Sequence, residues 1–305
     1  MCQGANMTDA AFFPGFTPFR QAVNGVEIAG VQGGSGPPLL LLHGHPQSHV
    51  VWHAVAPALA AHFTVIATDL RGYGASSKPA GDPAHLLYSK RTMAQDQVDV
   101  MAALGYPRFD VCGHDRGARV AHRLALDHPQ CVRRLMLLDI APTLAMYERT
   151  DMAFASAYWH WFFLIQPAPF PETLINAAPD FYINKLMGLR HAGLAPFHPD
   201  AMAAYAATMR QPDAVHAMCE DYRAAATVDL QHDRADRAAA RMIACPVRVL
   251  WGQHGVVGQC FEPLALWREV AATVSGTALP CGHYLPEELP EAVLAEMMTF
   301  FARAP

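Results

Sequence analysis

The chain has no paired cysteine pattern, no excess of positive charge and no long apolar run. Its seven cysteines, Cys2, Cys112, Cys131, Cys219, Cys245, Cys260 and Cys281, are odd in number and lack any Cys-x-x-Cys spacing. This argues against a disulfide framework and a zinc site, and for a reducing, cytoplasmic setting. The 22 Lys and Arg fall short of the 27 Asp and Glu, which leaves a net charge of −5. A protein that grips phosphates needs a basic face, so nucleic acid is not an expected partner. No apolar run approaches the ~20 residues that span a bilayer, so no membrane partner is expected either. Residues 1–13 lack a basic region followed by a long apolar core, so no signal peptide is evident. Internal repeats and low-complexity tracts are absent. At 305 residues, with 52% hydrophobic and 16% charged side chains, the chain suits one large packed domain with a sizeable insertion.

Strand and helix signals alternate through the first half. Strands are predicted at residues 26–31, 38–43, 63–69, 109–112 and 134–139, and helices at 51–62, 93–104 and 117–128. The run Pro38-Leu39-Leu40-Leu41-Leu42 is continuously apolar, as a strand covered on both faces should be. This rhythm predicts an α/β fold with a mostly parallel sheet flanked by helices. It breaks after Ile140. Residues 141–244 are rich in Ala, Met and aromatics at helical spacing, and residues 166–171 (QPAPFP) read as a loop because the prolines interrupt a helix. Strand signals return at 247–251 and 277–280, and a helix at 291–301 closes the chain. The predicted organisation is a core of residues 1–140 and 245–305 with a helical cap at 141–244.

Gly113-His114-Asp115-Arg116-Gly117 is the most informative stretch. It has the small-x-nucleophile-x-small pattern of a nucleophile elbow between a strand and a helix, with Asp115 where an esterase carries Ser. An Asp can cap a helix in that place, but at an elbow it can attack carbon and form an ester. His283, in Pro280-Cys281-Gly282-His283-Tyr284, falls just after the last strand, where a general base is supplied in such folds. The acid that orients it is expected after the next-to-last strand, but no acid follows Trp251 before Glu262. Asp139, one strand earlier, is the candidate instead. His43-Gly44-His45-Pro46 follows the Leu-rich strand, and the backbone N–H groups of His45 and Arg116 are candidates for an oxyanion hole. Arg116 and Arg119 share a helix face near Asp115, and a guanidinium fork suits a carboxylate ligand. Most aromatics of Tyr158-Trp159-His160-Trp161-Phe162-Phe163 read as cap core. His160, Trp161 and Tyr222 stand out as large side chains carrying an N–H or O–H.

From Phe13 to the last helix the chain resembles the fluoroacetate and haloacetate dehalogenases of the α/β-hydrolase superfamily. The matching stretches are GHDRGARVAHRLALDHP from Gly113, WHWFFLIQPAPFPE from Trp159, MCEDYRA from Met218 and GHYLPEE from Gly282. The resemblance implies an α/β-hydrolase fold with the cap inserted after the sixth strand. It implies Asp115 as nucleophile, His283 as base, Asp139 as its partner, Arg116 and Arg119 as carboxylate ligands, and His160, Trp161 and Tyr222 as halide ligands. It further implies hydrolysis of an anionic haloacetate to glycolate and halide without cofactor or metal, in a homodimer. Two positions depart from the family pattern. His45 stands where Phe is usual, and Leu189 stands where a Trp lining the substrate approach is expected, a change that favours larger 2-haloacids or heavier halogens over fluoride. An epoxide hydrolase with the same Asp-His-Asp logic is the alternative.

Overall fold

A computed structural model describes residues 11–302. Cys2 and most of the stretch 1–13 read above lie outside the described residues. The core is an eight-stranded sheet in the order β1-β2-β4-β3-β5-β6-β7-β8. Its strands are β1 (Thr17–Val23), β2 (Val26–Gly33), β3 (Pro38–Leu42), β4 (Thr64–Thr68), β5 (Phe109–His114), β6 (Val132–Leu138), β7 (Val247–Gly252) and β8 (Val274–Leu279). From β4 to β8 every neighbouring pair is parallel. Leu39, Leu40, Leu41 and Leu42 of β3 are fully buried, because helices cover both faces of a central parallel strand.

Two predicted elements come out differently. Strand β1 was not anticipated. It pairs antiparallel with β2 through Asn24-Gly25, whose φ values are 45° and 73°. Two left-handed residues make a type I′ hairpin turn, and Asn-Gly is its sequence signal. The helix predicted at 51–62 is instead a 3-10 turn, His49–Trp52, followed by a single α-turn, Ala56–Leu59. Pro57 has no N–H to give to a continuing helix, so it starts a new turn rather than extending one. The same preference places Pro171 in the first turn of helix Phe170–Ala177, which shortens the predicted loop.

Eight helices, from Thr143–Glu148 to Val228–Ala238, lie between β6 and β7. This helical insertion is fastened to the core by buried polar contacts. Arg123 on the helix Asp115–Asp127 pairs with Asp233 (2.7 Å) and Asp236. Tyr205 of the insertion donates to Glu287 Oε1 (3.0 Å), and Gln47 of the core donates to Glu287 Oε2 (2.5 Å). Burial dominates at Glu287 and, despite these two donors, pushes its carboxyl up to about 8.

Glu287 therefore favours the fold in its neutral form. Its contribution is complete below the unfolded carboxyl value of ~4.3 and is lost as pH rises through about 8. Glu287→Gln is expected to melt several degrees above the parent at about pH 8.5, with the difference shrinking as pH falls and vanishing below about pH 4. Thermal melts at the two pH values read this directly.

Candidate active site

Asp115, His283 and Asp139 sit beyond the carboxyl ends of β5, β8 and β6, where parallel sheets open toward ligands. Asp115 begins helix Asp115–Asp127 with φ 46°, and Asp139 has φ 51°. Left-handed backbone costs a non-glycine residue on the order of 1–3 kcal/mol. Both carboxylates are held in it by close packing. A Cβ on Gly44 would come 2.6 Å from the Cβ of Asp115, and one on Gly117 would come 2.4 Å from the His43 carbonyl oxygen. The small residues of the elbow and of the His43-to-Pro46 turn are thus needed for the two loops to meet.

The three residues form a line. His283 Nδ1 donates to Asp139 Oδ2 at 2.6 Å, and Asp139 Oδ1 accepts the Gly252 N–H at 2.9 Å. His283 Nε2 lies 4.0 Å from Asp115 Oδ2. Asp115 Oδ1 accepts the backbone N–H of His45 at 3.0 Å. Burial by itself would raise the Asp115 pKa, but His283, His114, Arg116 and Arg119 outweigh it and hold the group well below the usual carboxylate range. The nucleophile candidate is an anion with one oxygen tied and one facing the base candidate.

The two arginines differ. Arg116 is fully buried, and its Nε and Nη2 are both engaged with Asp221, at 2.8 and 2.9 Å from the carboxylate oxygens. Nη1 has no partner. Arg119 donates to Thr143 Oγ1 (2.8 Å), the Ala141 carbonyl (3.2 Å) and Met146 Sδ (3.3 Å), and its Nε has no partner. Arg116 is already neutralised by a carboxylate, whereas the hydrogen-bond partners of Arg119 are all neutral. Each keeps one buried N–H open, and a buried donor without a partner costs about 1–3 kcal/mol.

Above them the insertion contributes His160, Trp161 and Tyr222, all buried. His160 Nδ1 and Trp161 Nε1 also lack partners. The Arg116 guanidinium lies 4.2 Å from the Tyr222 ring centroid, and that of Arg119 lies 4.7 Å from the Trp161 ring. Burial and the nearby Arg190 charge keep His160 far below the ordinary imidazole value, so it is neutral. All the sequence-predicted site residues are therefore brought to one place.

Leu189 is not. It is 64% exposed. The residue that turns inward is its neighbour Arg190, whose guanidinium lies 4.7 Å from the Tyr158 ring centroid and whose Nε has no partner. Sequence reasoning passed over Arg190, Tyr158, Asp221 and Lys90. Asp221 binds Arg116, Lys90 and Tyr73 at once. Burial opposes its charge, and Arg116 and Lys90 overcome that and keep it ionised. Only the position of Asp221 beside Tyr222, inside the MCEDYRA stretch, hinted at it.

Residues 37–255 match the model of the alpha/beta hydrolase fold family. A fluoroacetate dehalogenase from a Burkholderia species is 45% identical over 96% of both chains. A soluble epoxide hydrolase from Corynebacterium sp. (strain C12) is 35% identical over 94% of this chain and 97% of its own. A solved structure from Nostoc sp PCC 7120, provisionally named an alpha/beta hydrolase, superposes with a TM-score of 0.93 at 55% identity, covering 96% of this chain and all of that one.

Removing the charge of Asp221 leaves buried Arg116 without its carboxylate and Lys90 with only Asp229, at 3.7 Å. Asp221→Asn is expected to lose about 3–5 kcal/mol of stability, read as a lower urea midpoint.

Proposed function

Since the chain belongs to the haloacetate dehalogenases of the α/β-hydrolase superfamily, we propose that this hydrolase converts a haloacetate to glycolate and halide through an ester on Asp115. The observation that carries the reading is the pair of guanidiniums beside an ionised Asp115, each with one open buried N–H. Arg116 Nη1 and Arg119 Nε supply two donors to the two oxygens of a carboxylate. Because Asp221 already balances Arg116, the substrate's charge answers Arg119.

On this reading Asp115 Oδ2 attacks the α-carbon, and the carbon–halogen bond breaks with its electron pair leaving on the halogen. His160, Trp161 and Tyr222 receive the halide. The glycolyl group is now esterified to Asp115. His283, held by Asp139, takes a proton from water, which adds to the ester carbonyl carbon. The charge gathers on Oδ1, which His45 N–H already meets and which Arg116 N–H is proposed to meet as well. Collapse breaks the bond from the acyl carbon to Oδ2, the departing oxygen takes the proton from His283 to give glycolate, and the new carboxyl group loses its proton to solvent, which restores the carboxylate. Each step uses only groups of the chain itself and water.

The insertion at 141–244 acts as the cap that keeps bulk water from the ester. A cytoplasmic homodimer belongs to the same reading, supported by exposed apolar side chains on the insertion at Phe170, Leu174 and Phe181. One observation favours epoxide hydrolysis as a second reading. Tyr158 and Tyr222 both approach the site from the insertion, Tyr158 with its ring 6.4 Å from that of His283. Two such phenols could protonate an epoxide oxygen. The open arginine donors would then face a neutral substrate with nothing to accept them.

Halide release from fluoroacetate and chloroacetate tests the proposal. Asp115→Asn is expected to reduce it by about 10⁴-fold or more. His283→Asn is expected to accumulate a glycolyl adduct on Asp115, visible by intact-protein and peptide mass spectrometry. Turnover of an epoxide such as styrene oxide without any halide release would overturn the haloacetate reading in favour of the second.

A further inference from the structure

A haloacetate offers two carboxylate oxygens and one halogen, and the residues above account for all three. Buried side chains with unpartnered nitrogens are left over beside the same place, His45 and Arg190 among them. His45 is 3% exposed, and both its ring nitrogens are buried without a partner. Its place relative to the nucleophile is fixed, because its own backbone N–H holds Asp115 Oδ1. The ring meets Tyr222 edge-on, with centroids 5.2 Å apart and planes at 80°. His160 meets the same tyrosine at 5.9 Å and 73°. Tyr222 thus meets two imidazoles edge-on, one from the core and one from the insertion. A ring that served only to fill space would not need two unpartnered nitrogens at that point.

We propose that His45 is a specificity-determining residue whose ring N–H is a fourth donor to the halogen, matched to fluorine. The inference rests on the dehalogenase reading. Burial takes the imidazole down to about 3, with Asp115 opposing and Arg116 and Arg190 adding to the shift. The ring is neutral at ordinary pH, so it offers one N–H and no charge. Its role is hydrogen bonding rather than titration.

Fluorine is where such a donor matters most. As Asp115 Oδ2 bonds to the α-carbon, the electron pair of the C–F bond collects on a small atom that hydrogen-bonds strongly as an anion. A donor that tightens as this charge develops lowers the barrier, whereas one that binds substrate and transition state equally does not. Chloride and bromide spread the same charge over a larger atom and depart more readily. They gain less from a fourth N–H. No proton is transferred to the halide, and His45 is unchanged through the cycle.

The test is the ratio of kcat/KM on fluoroacetate to that on chloroacetate, in the parent, in His45→Phe and in His45→Gln. Phe keeps a planar ring and the backbone N–H but has no side-chain donor. Its fluoroacetate value is expected to fall about 10–100-fold, the scale of one hydrogen bond to a charged group, with a much smaller fall on chloroacetate. Gln retains an N–H and is expected to hold the ratio closer to that of the parent. Chloroacetate turnover by each variant also reports that it has folded. Parallel losses on both substrates, or an unchanged ratio in His45→Phe, would overturn the inference alone. Absence of Asp115-dependent halide release from the parent would overturn the dehalogenase reading and the inference with it.

Discussion

The site depends on one buried carboxylate that does no chemistry. Asp221, on the insertion helix Pro212–Ala226, is fully buried and receives Arg116 from the elbow helix, Lys90 from the start of helix Lys90–Ala103, and the Tyr73 hydroxyl from a core loop. A lone charge in that place would be prohibitively costly, and so would either cation. Asp221 answers Arg116, Lys90 has a second carboxylate in Asp229 at 3.7 Å, and the directional hydrogen bonds set where the insertion rests on the sheet. Tyr222, the next residue along the helix, is thereby placed against the Arg116 guanidinium. The position of the insertion and the orientation of Arg116 are one constraint, not two.

A second constraint acts within the core. Asp115 and Asp139 both adopt left-handed backbone, and the glycines around the elbow let the His43-to-Pro46 turn press against Asp115. The strain is small beside the packing of a sheet whose central strands are wholly buried. What it secures is a carboxylate standing clear of its own helix, with His283 on one oxygen and a backbone N–H on the other.

Much of this was legible in the sequence, for physical reasons. The central strands are continuously apolar because both faces are covered, and Asp115, Asp139 and His283 come at strand ends, the first and last with glycines beside them. The parts that were not legible depend on distant partners or on turn chemistry. Strand β1 is weakly apolar and half exposed, and only its Asn-Gly turn announced it. Pro57 split a helix that the apolar spacing made continuous. Arg190 and Leu189 are adjacent, and nothing in their order tells which one turns inward at the end of helix Pro179–Gly188. The two arginines read alike from spacing, yet one carries a carboxylate partner across a separation of 105 residues and the other does not. The polarity of His45 was plain, but that both its nitrogens are buried without a partner in the chain is a property of the packed site.

The tie between His45 N–H and Asp115 Oδ1 gives the carboxylate a memory. On the proposed route the oxygen that bonds to carbon leaves with the glycolate, and a solvent oxygen takes its place on the side facing His283. The oxygen held by the backbone is never the one exchanged unless the carboxylate rotates, and rotation would break that hydrogen bond. One atom of the nucleophile then lasts as long as the polypeptide, while its twin is renewed at every turnover. In heavy-oxygen water the enzyme would carry a single label on Asp115 however many times it had cycled, and the appearance of a second would count the occasions on which the grip had slipped.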